Sequence, residues 1–135
     1  VFTREEGIWV SGGRIYFDCT NGGDSGLGQI FEYDPKVKTL QLIFESDNIA
    51  TLSNPDNLCV VPRTKDLLLC EDTAAPQFVR GLTRDGRIYD FARALETDSE
   101  FCGASFDRQG KTLYVNQQRP GVTYAIWGPW SKKAS

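Results

Sequence analysis

The stretch from Asn54 to Arg93 sets the terms for the whole chain, because it holds one complete unit of a pattern that recurs on both sides of it. An acidic turn, Asn54-Pro55-Asp56-Asn57, leads into the apolar strand Leu58-Cys59-Val60-Val61-Pro62. The polar turn Arg63-Thr64-Lys65-Asp66 separates it from a second apolar run, Leu67-Leu68-Leu69-Cys70, which ends on Glu71-Asp72. Then come Phe78-Val79-Arg80-Gly81-Leu82-Thr83, the tight turn Arg84-Asp85-Gly86, and Arg87-Ile88-Tyr89-Asp90-Phe91-Ala92, whose apolar residues largely alternate as a half-buried strand requires. Four short strands joined by turns make one antiparallel meander of about 40 residues, the size of a β-propeller blade.

Upstream, Gly7-Ile8-Trp9-Val10, the turn Ser11-Gly12-Gly13 and Arg14-Ile15-Tyr16-Phe17-Asp18-Cys19-Thr20 read as a hairpin. Gln29-Ile30-Phe31-Glu32-Tyr33, the turn Asp34-Pro35-Lys36 and Thr39-Leu40-Gln41-Leu42-Ile43-Phe44 complete a second four-stranded unit. Downstream, the runs beginning at Glu100, Lys111 and Val122 make a third unit that stops at Gly128-Pro129-Trp130, one strand short. The expectation is an all-β chain of about three antiparallel propeller blades, approximately 7–46, 56–93 and 100–130, followed by a polar tail, 131–135. Closed propellers often split one blade between the two chain ends, so the missing outer strand is expected from elsewhere in a longer parent. The absence of Met and the start on Val1 point the same way.

Composition removes several function classes. At 135 residues, 40% of them hydrophobic and 24% charged, the chain has the material for a packed core and is not a disordered segment. A net charge of −3, with no stripe of Lys or Arg among aromatics, gives no nucleic-acid footprint. No apolar run approaches the ~20 residues of a membrane helix. Histidine is absent, which excludes a Ser-His-Asp triad and His-ligated zinc within this segment. Cys19, Cys59, Cys70 and Cys102 lie in or beside apolar runs without a CxxC pair, and they read as small buried hydrophobes rather than ligands or a disulfide. The Gly-rich loop Asn21–Gly28 lacks the Gly-Lys-Ser/Thr ending of a phosphate-binding loop and reads as a strand connection.

Setting the three units side by side exposes one feature with chemical content. A carboxylate precedes each first strand: Glu6 before Gly7-Ile8-Trp9-Val10, Asp56 before Asn57-Leu58-Cys59-Val60, Glu100 before Phe101-Cys102-Gly103-Ala104. The innermost strands of a propeller line its central channel, so equivalent starts converge on one mouth. Carboxylates forced together raise each other's proton affinity unless a cation lies between them. Hard oxygen ligands, with the side-chain carbonyl of Asn57 beside Asp56, suit calcium or a similar hard cation. The same residues also have a plainer reading, because Asp and Glu are common at turns and Asn-Pro-Asp is an ordinary turn sequence. Glu71-Asp72, at the end of a second strand, reads as solvated loop charge.

Several words of the chain resemble the C-terminal part of the PhoX-type alkaline phosphatases and related bacterial proteins. They are Pro55-Asp56-Asn57-Leu58, Cys70-Glu71-Asp72, Gly81-Leu82-Thr83-x-Asp85-Gly86, Glu100-Phe101-x-Gly103 and Pro120-Gly121-Val122-Thr123-x-Ala125-Ile126-x-Gly128-Pro129-Trp130. The last is long and unusual and therefore the most specific.

The resemblance implies a six-bladed propeller, with residues 1–130 as its C-terminal part. It also implies a channel mouth whose iron and calcium cluster hydrolyses phosphate monoesters. In that family an Arg helps to bind the substrate phosphate and a Glu two residues later ligates metal. Arg4-Glu5-Glu6 is similar to that word, which makes Arg4 the phosphate contact and Glu6 a ligand, although Glu5 and Gly7 stand where the phosphatase word has Pro and Trp. Asp56 and Glu100 match acidic positions and would be further ligands, together with Asn57. A cysteine thiolate on iron is expected upstream, since none of the four cysteines here lies in the corresponding word. Export to the periplasm or the cell exterior is implied as well.

Taken alone, such a segment is expected to lack part of the active site and to be inactive. Two alternatives stay open: a non-catalytic, calcium-stabilised propeller serving as a binding module, and a gluconolactonase-like propeller hydrolase with a single channel cation. Loss of the Pro and Trp around Arg4-Glu6 points toward the first, and the Gly-Pro-Trp ending points away from the second. Three blades also leave two apolar faces uncovered, so association is expected, and two copies would close a six-bladed ring as a homodimer.

Overall fold

The computed structural model describes residues 1–74, 76–128 and 130. The 131–135 tail and Pro129 fall outside the described residues. Three antiparallel sheets follow one another along the chain. The first holds β1 (Glu5–Ser11), β2 (Arg14–Cys19), β3 (Gln29–Asp34) and β4 (Thr39–Glu45). The second holds β5 (Pro55–Val60), β6 (Leu67–Glu71), β7 (Phe78–Leu82) and β8 (Ile88–Arg93). The third holds β9 (Phe101–Phe106), β10 (Thr112–Gln117) and β11 (Val122–Trp127). Each strand pairs with its sequence neighbour, giving meanders of four, four and three strands. Among the described residues no helix is long and apolar enough to cross a membrane.

The sheets stack through their first strands, with β1 packed on β5 and β5 packed on β9. That is the arrangement of propeller blades around a channel, and its cause is legible in the middle sheet, which is apolar on both faces. On one face Leu58, Val60, Leu67, Leu69 and Leu82 join Tyr16 and Ile30 of the first sheet in a core completed by Leu52. On the other, Cys59, Leu68, Cys70 and Val79 join Phe101, Ala104, Leu113 and Val115 of the third. Successive residues of a strand point to opposite faces, so a strand covered on both sides needs an unbroken apolar run, and Leu67-Leu68-Leu69-Cys70 supplies it.

The outer faces differ from one another. Cross-strand partners place Ile8, Val10, Ile15, Phe17, Phe31, Tyr33, Leu40 and Leu42 on one side of the first sheet, facing away from the second. Ile8 and Val10 are each 66% exposed, and Phe2 folds back onto the Phe17 and Phe31 rings at 5.4 and 5.1 Å. The far face of the third sheet is mixed, carrying Cys102, Ser105, Tyr114, Asn116, Thr123 and Trp127.

Candidate metal centre

All three first strands are irregular at the same end. In β1 the register shifts between Glu5 and Ile8, so that Glu6 and Gly7 together oppose Asp18. In β5 it shifts between Pro55 and Asn57, leaving Asp56 as the extra residue. In β9, Gly103 and Ala104 together oppose Val115 of β10. Gly103 is required here: its φ is +61°, and a Cβ would stand 2.7 Å from Asn116 Nδ2. A bulge bends its strand and re-aims a side chain, which is how acidic residues on inner strands come to face the channel mouth. Glu6 and Asp56 accordingly lie inside β1 and β5, whereas Glu100 directly precedes β9.

At this mouth Asp56, Asp72 and Glu100 each present an oxygen, and the three oxygens lie within 4.8 Å of one another. The main chain fixes two of them. Asp72 N–H donates to the Asn54 carbonyl at 2.9 Å, and Gln118 N–H donates to the Glu100 carbonyl at 3.1 Å. The electrostatics are those of crowded carboxylates. Burial, then the charges of Asp72 and Glu6, push Asp56 up to about 6, with Arg4 opposing them. Burial, then a hydrogen bond and charge repulsion from Asp72, then the charge of Asp56, push Glu100 up to about 7. Asp56 Oδ1 is buried without a hydrogen-bond partner. Three hard oxygens, two of them with raised proton affinity and one unpartnered, fit a hard cation such as calcium.

Of the carboxylates read from the strand starts, Asp56 and Glu100 lie together in this cluster, and Asp72, which that reading did not include, lies with them. Glu6 stands outside the cluster, receiving Arg4 Nη2 at 2.7 Å. Arg4 adopts a left-handed φ of 53° and also reaches Asn21 Oδ1 at 3.0 Å. Its charge still lowers the proton affinity of Asp56, so both residues act within the electrostatic reach of the mouth. The Asn57 Oδ1 accepts the Ala104 N–H at 3.0 Å and ties the second sheet to the third.

The reading of Glu71-Asp72 as solvated loop charge fails for Glu71 and holds for Asp72 so far as its exposure goes. Glu71 is 1% exposed, paired with buried Arg80 at 3.0 Å, and Asp72, though exposed, belongs to the cluster. The missed signal lies in the hairpin itself. Pro55 pairs with Glu71, so the end of β6 necessarily lies beside the start of β5, at the same mouth as Asp56. Asp18 was also missed. It is fully buried on β2, accepts the Gly7 N–H at 3.0 Å on Oδ1, has no partner for Oδ2, and is pushed up to about 7 chiefly by burial.

A family model described as Alkaline phosphatase PhoX matches residues 1–121. The chain belongs to the PhoX alkaline phosphatase family. A search of curated proteins found no match. The PhoX match takes in Arg4, Glu6, Asp56, Asn57, Asp72 and Glu100, and it ends inside the Pro120–Trp130 word. All four cysteines are free, and burial pushes Cys59 up to about 12 and holds Cys70 well above the ordinary thiol range. The Gly-rich Asn21–Gly28 segment connects β2 to β3 and is held by its own turns and by Asn54, whose Nδ2 donates to the Thr20 and Gly26 carbonyls.

Proposed function

We propose that this chain is part of a metal-dependent, phosphatase-like propeller that hydrolyses phosphate monoesters when complete. The observation that carries the reading is the meeting of Asp56, Asp72 and Glu100 within 4.8 Å at the open end of the inner strands of a PhoX family chain. These three carboxylates would hold a cation, calcium by the hardness of its donors, with iron requiring ligands from outside this segment. When bound, the cation polarises phosphoryl oxygens and lowers the pKa of an oxygen nucleophile. Arg4 offers a planar fork to the phosphate after exchanging its Glu6 contact, and its charge already reaches Asp56. Glu6 then acts by releasing or reclaiming Arg4, or as a further ligand.

The test is a phosphomonoesterase assay on the complete protein supplied with calcium and iron, beside Asp56→Asn and Arg4→Ala. Loss of turnover in both variants is the expected result. Undiminished turnover in Asp56→Asn refutes the cluster as the catalytic centre, and robust turnover by the 135-residue chain alone refutes the incomplete site. One observation favours a second reading: Arg4 is already engaged by Glu6 and Asn21, as in a calcium-stabilised binding module that performs no chemistry. Such a module keeps its calcium-dependent stability in Arg4→Ala and shows no turnover in either form.

A further inference from the structure

A cavity of about 500 Å³ opens beside the carboxylate cluster, between the loop after β6 and the loop that leads into β9. Asp72 and Glu100 form part of its wall, so the cavity and the carboxylate cluster share two residues. Every side chain lining it is polar, which separates it from the neighbouring cavity between β8 and β11, walled by Phe101, Val115, Val122 and Ile126. Its volume falls in the range of about 300–1,000 Å³ typical of small-molecule sites.

Two features show that the space is built. Gln77 is 2% exposed, and its Nε2 donates both to the Thr73 carbonyl and, at 3.3 Å, to the Asp98 carbonyl, bracing the two loops that carry Asp72 and Glu100. Both acceptors are carbonyls, so the amide orientation is fixed, and Gln77 Oε1 is left with no donor. The second feature is Arg119, the one basic residue of the lining. Its N–H donates to Ser99 Oγ at 2.8 Å and its carbonyl accepts from Thr97 Oγ1 at 3.4 Å, which pins the backbone. Among the described residues its guanidinium makes no ion pair.

We propose that this cavity is the subsite for the alcohol portion of a phosphate ester, and that it selects a hydroxyl-bearing alcohol carrying a second anionic group, which Arg119 binds. The inference rests on the phosphatase reading above. An aryl or lipid alcohol finds no apolar wall here, whereas hydroxyls meet the polar side chains of Thr97, Asp98 and Ser99. The carboxylates of the wall disfavour a bare anion, so the second anion is recognised only where Arg119 stands.

The matched probes are fructose 6-phosphate and fructose 1,6-bisphosphate, titrated calorimetrically into the calcium-loaded complete protein. The bisphosphate is expected to bind about tenfold tighter, the worth of one charge-assisted contact. Arg119→Gln is expected to remove that advantage and leave the monophosphate affinity within about twofold, while Arg108→Gln, on the distant exposed turn before β10, keeps it. Equal binding of the two probes by wild type, or a ratio unchanged in Arg119→Gln because Asp98 neutralises the guanidinium, overturns the subsite and leaves the phosphatase reading intact. Calcium binding without any binding of fructose 6-phosphate overturns that reading, and the subsite with it.

Discussion

Arg80 Nε donates to Glu71 Oε1 at 3.0 Å in a part of the fold where the two side chains are 4% and 1% exposed. Glu71 Oε1 also receives the Ser53 N–H at 2.9 Å, and the guanidinium lies 3.8 Å from the Phe78 ring centre and reaches Asp90 near the surface. The pair therefore locks β6 to β7 directly behind Asp72. Removing one member of a buried pair strands the other, at about 3–5 kcal/mol. Arg80→Met is expected to lose stability of that order at pH 8 in urea unfolding. Burial already raises Glu71, and without Arg80 it takes up a proton more readily in the folded state than in the unfolded one, so the deficit shrinks as the pH falls. A deficit that stays constant with pH assigns the loss to packing on Phe78 instead.

Stability should also depend on pH through the channel mouth. Burial first, then neighbouring carboxylates, hold Asp18 at about 7, Asp56 at about 6 and Glu100 at about 7, against about 4 in an unfolded chain. Between those limits the folded state binds more protons than the unfolded state, so stability falls as the pH rises through that window. With a chelator present, the melting temperature is expected to be higher at pH 5 than at pH 8. Calcium favours the ionised carboxylates, so its stabilising shift grows with pH. Melting curves that coincide at the two pH values contradict the proposed crowding.

Asp72→Asn tests which carboxylates form the cluster. Removing one of three charged donors is expected to weaken calcium binding about tenfold or more, read by calorimetry or terbium luminescence. Glu6→Gln, outside the cluster, is expected to change affinity far less. Equal losses in the two variants place Glu6 in the ligand set and return the centre to the arrangement expected from strand starts.

The blade pattern was legible because alternation and turn residues are local, and the meander from Pro55 to Arg93 follows directly from them. Asp56 and Glu100 were legible as members of a repeat. Asp72 was not, because its membership depends on the antiparallel pairing of Pro55 with Glu71, a relation between two strand ends rather than between repeats. Glu71 was misread for a related reason: only tertiary packing brings Arg80 beside it and removes both from water. The bulges that bring Glu6 and Asp56 within their strands, and aim them, leave no periodic trace, since a single inserted residue looks like ordinary irregularity in a run of this length.

The uncovered face of the first sheet gives a prediction about association. Val10 and Leu42, 66% and 44% exposed, stand among Ile8, Phe17, Phe31 and Leu40 on one apolar surface. A contiguous patch of this kind promotes self-association. The chain is expected to sediment as dimers or larger species at high concentration, and Val10→Lys with Leu42→Lys is expected to shift it toward monomer without loss of melting temperature. A wild-type chain that stays monomeric at high concentration removes this face as an association surface.

Gly7 stands where the first and second sheets approach closely. A Cβ placed there would lie 2.3 Å from Asp18 Oδ2 and 2.9 Å from both the Asn57 Cα and the Leu58 nitrogen. The two main-chain atoms belong to β5 and cannot turn aside as a flexible side chain would. Gly7→Ala must therefore separate β1 from β5 or displace Asp18, and overpacking of this kind costs about 1–3 kcal/mol. The displacement is transmitted to the adjacent Asp56, so calcium affinity is expected to fall together with stability. Gly12→Ala, in a turn where a Cβ meets nothing within 4 Å, bears only the backbone penalty of its φ of +60° and is expected to leave calcium binding unchanged. If Gly7→Ala weakens the fold but binds calcium as wild type does, the first sheet does not set the position of Asp56, and the cluster is held by the second and third sheets alone.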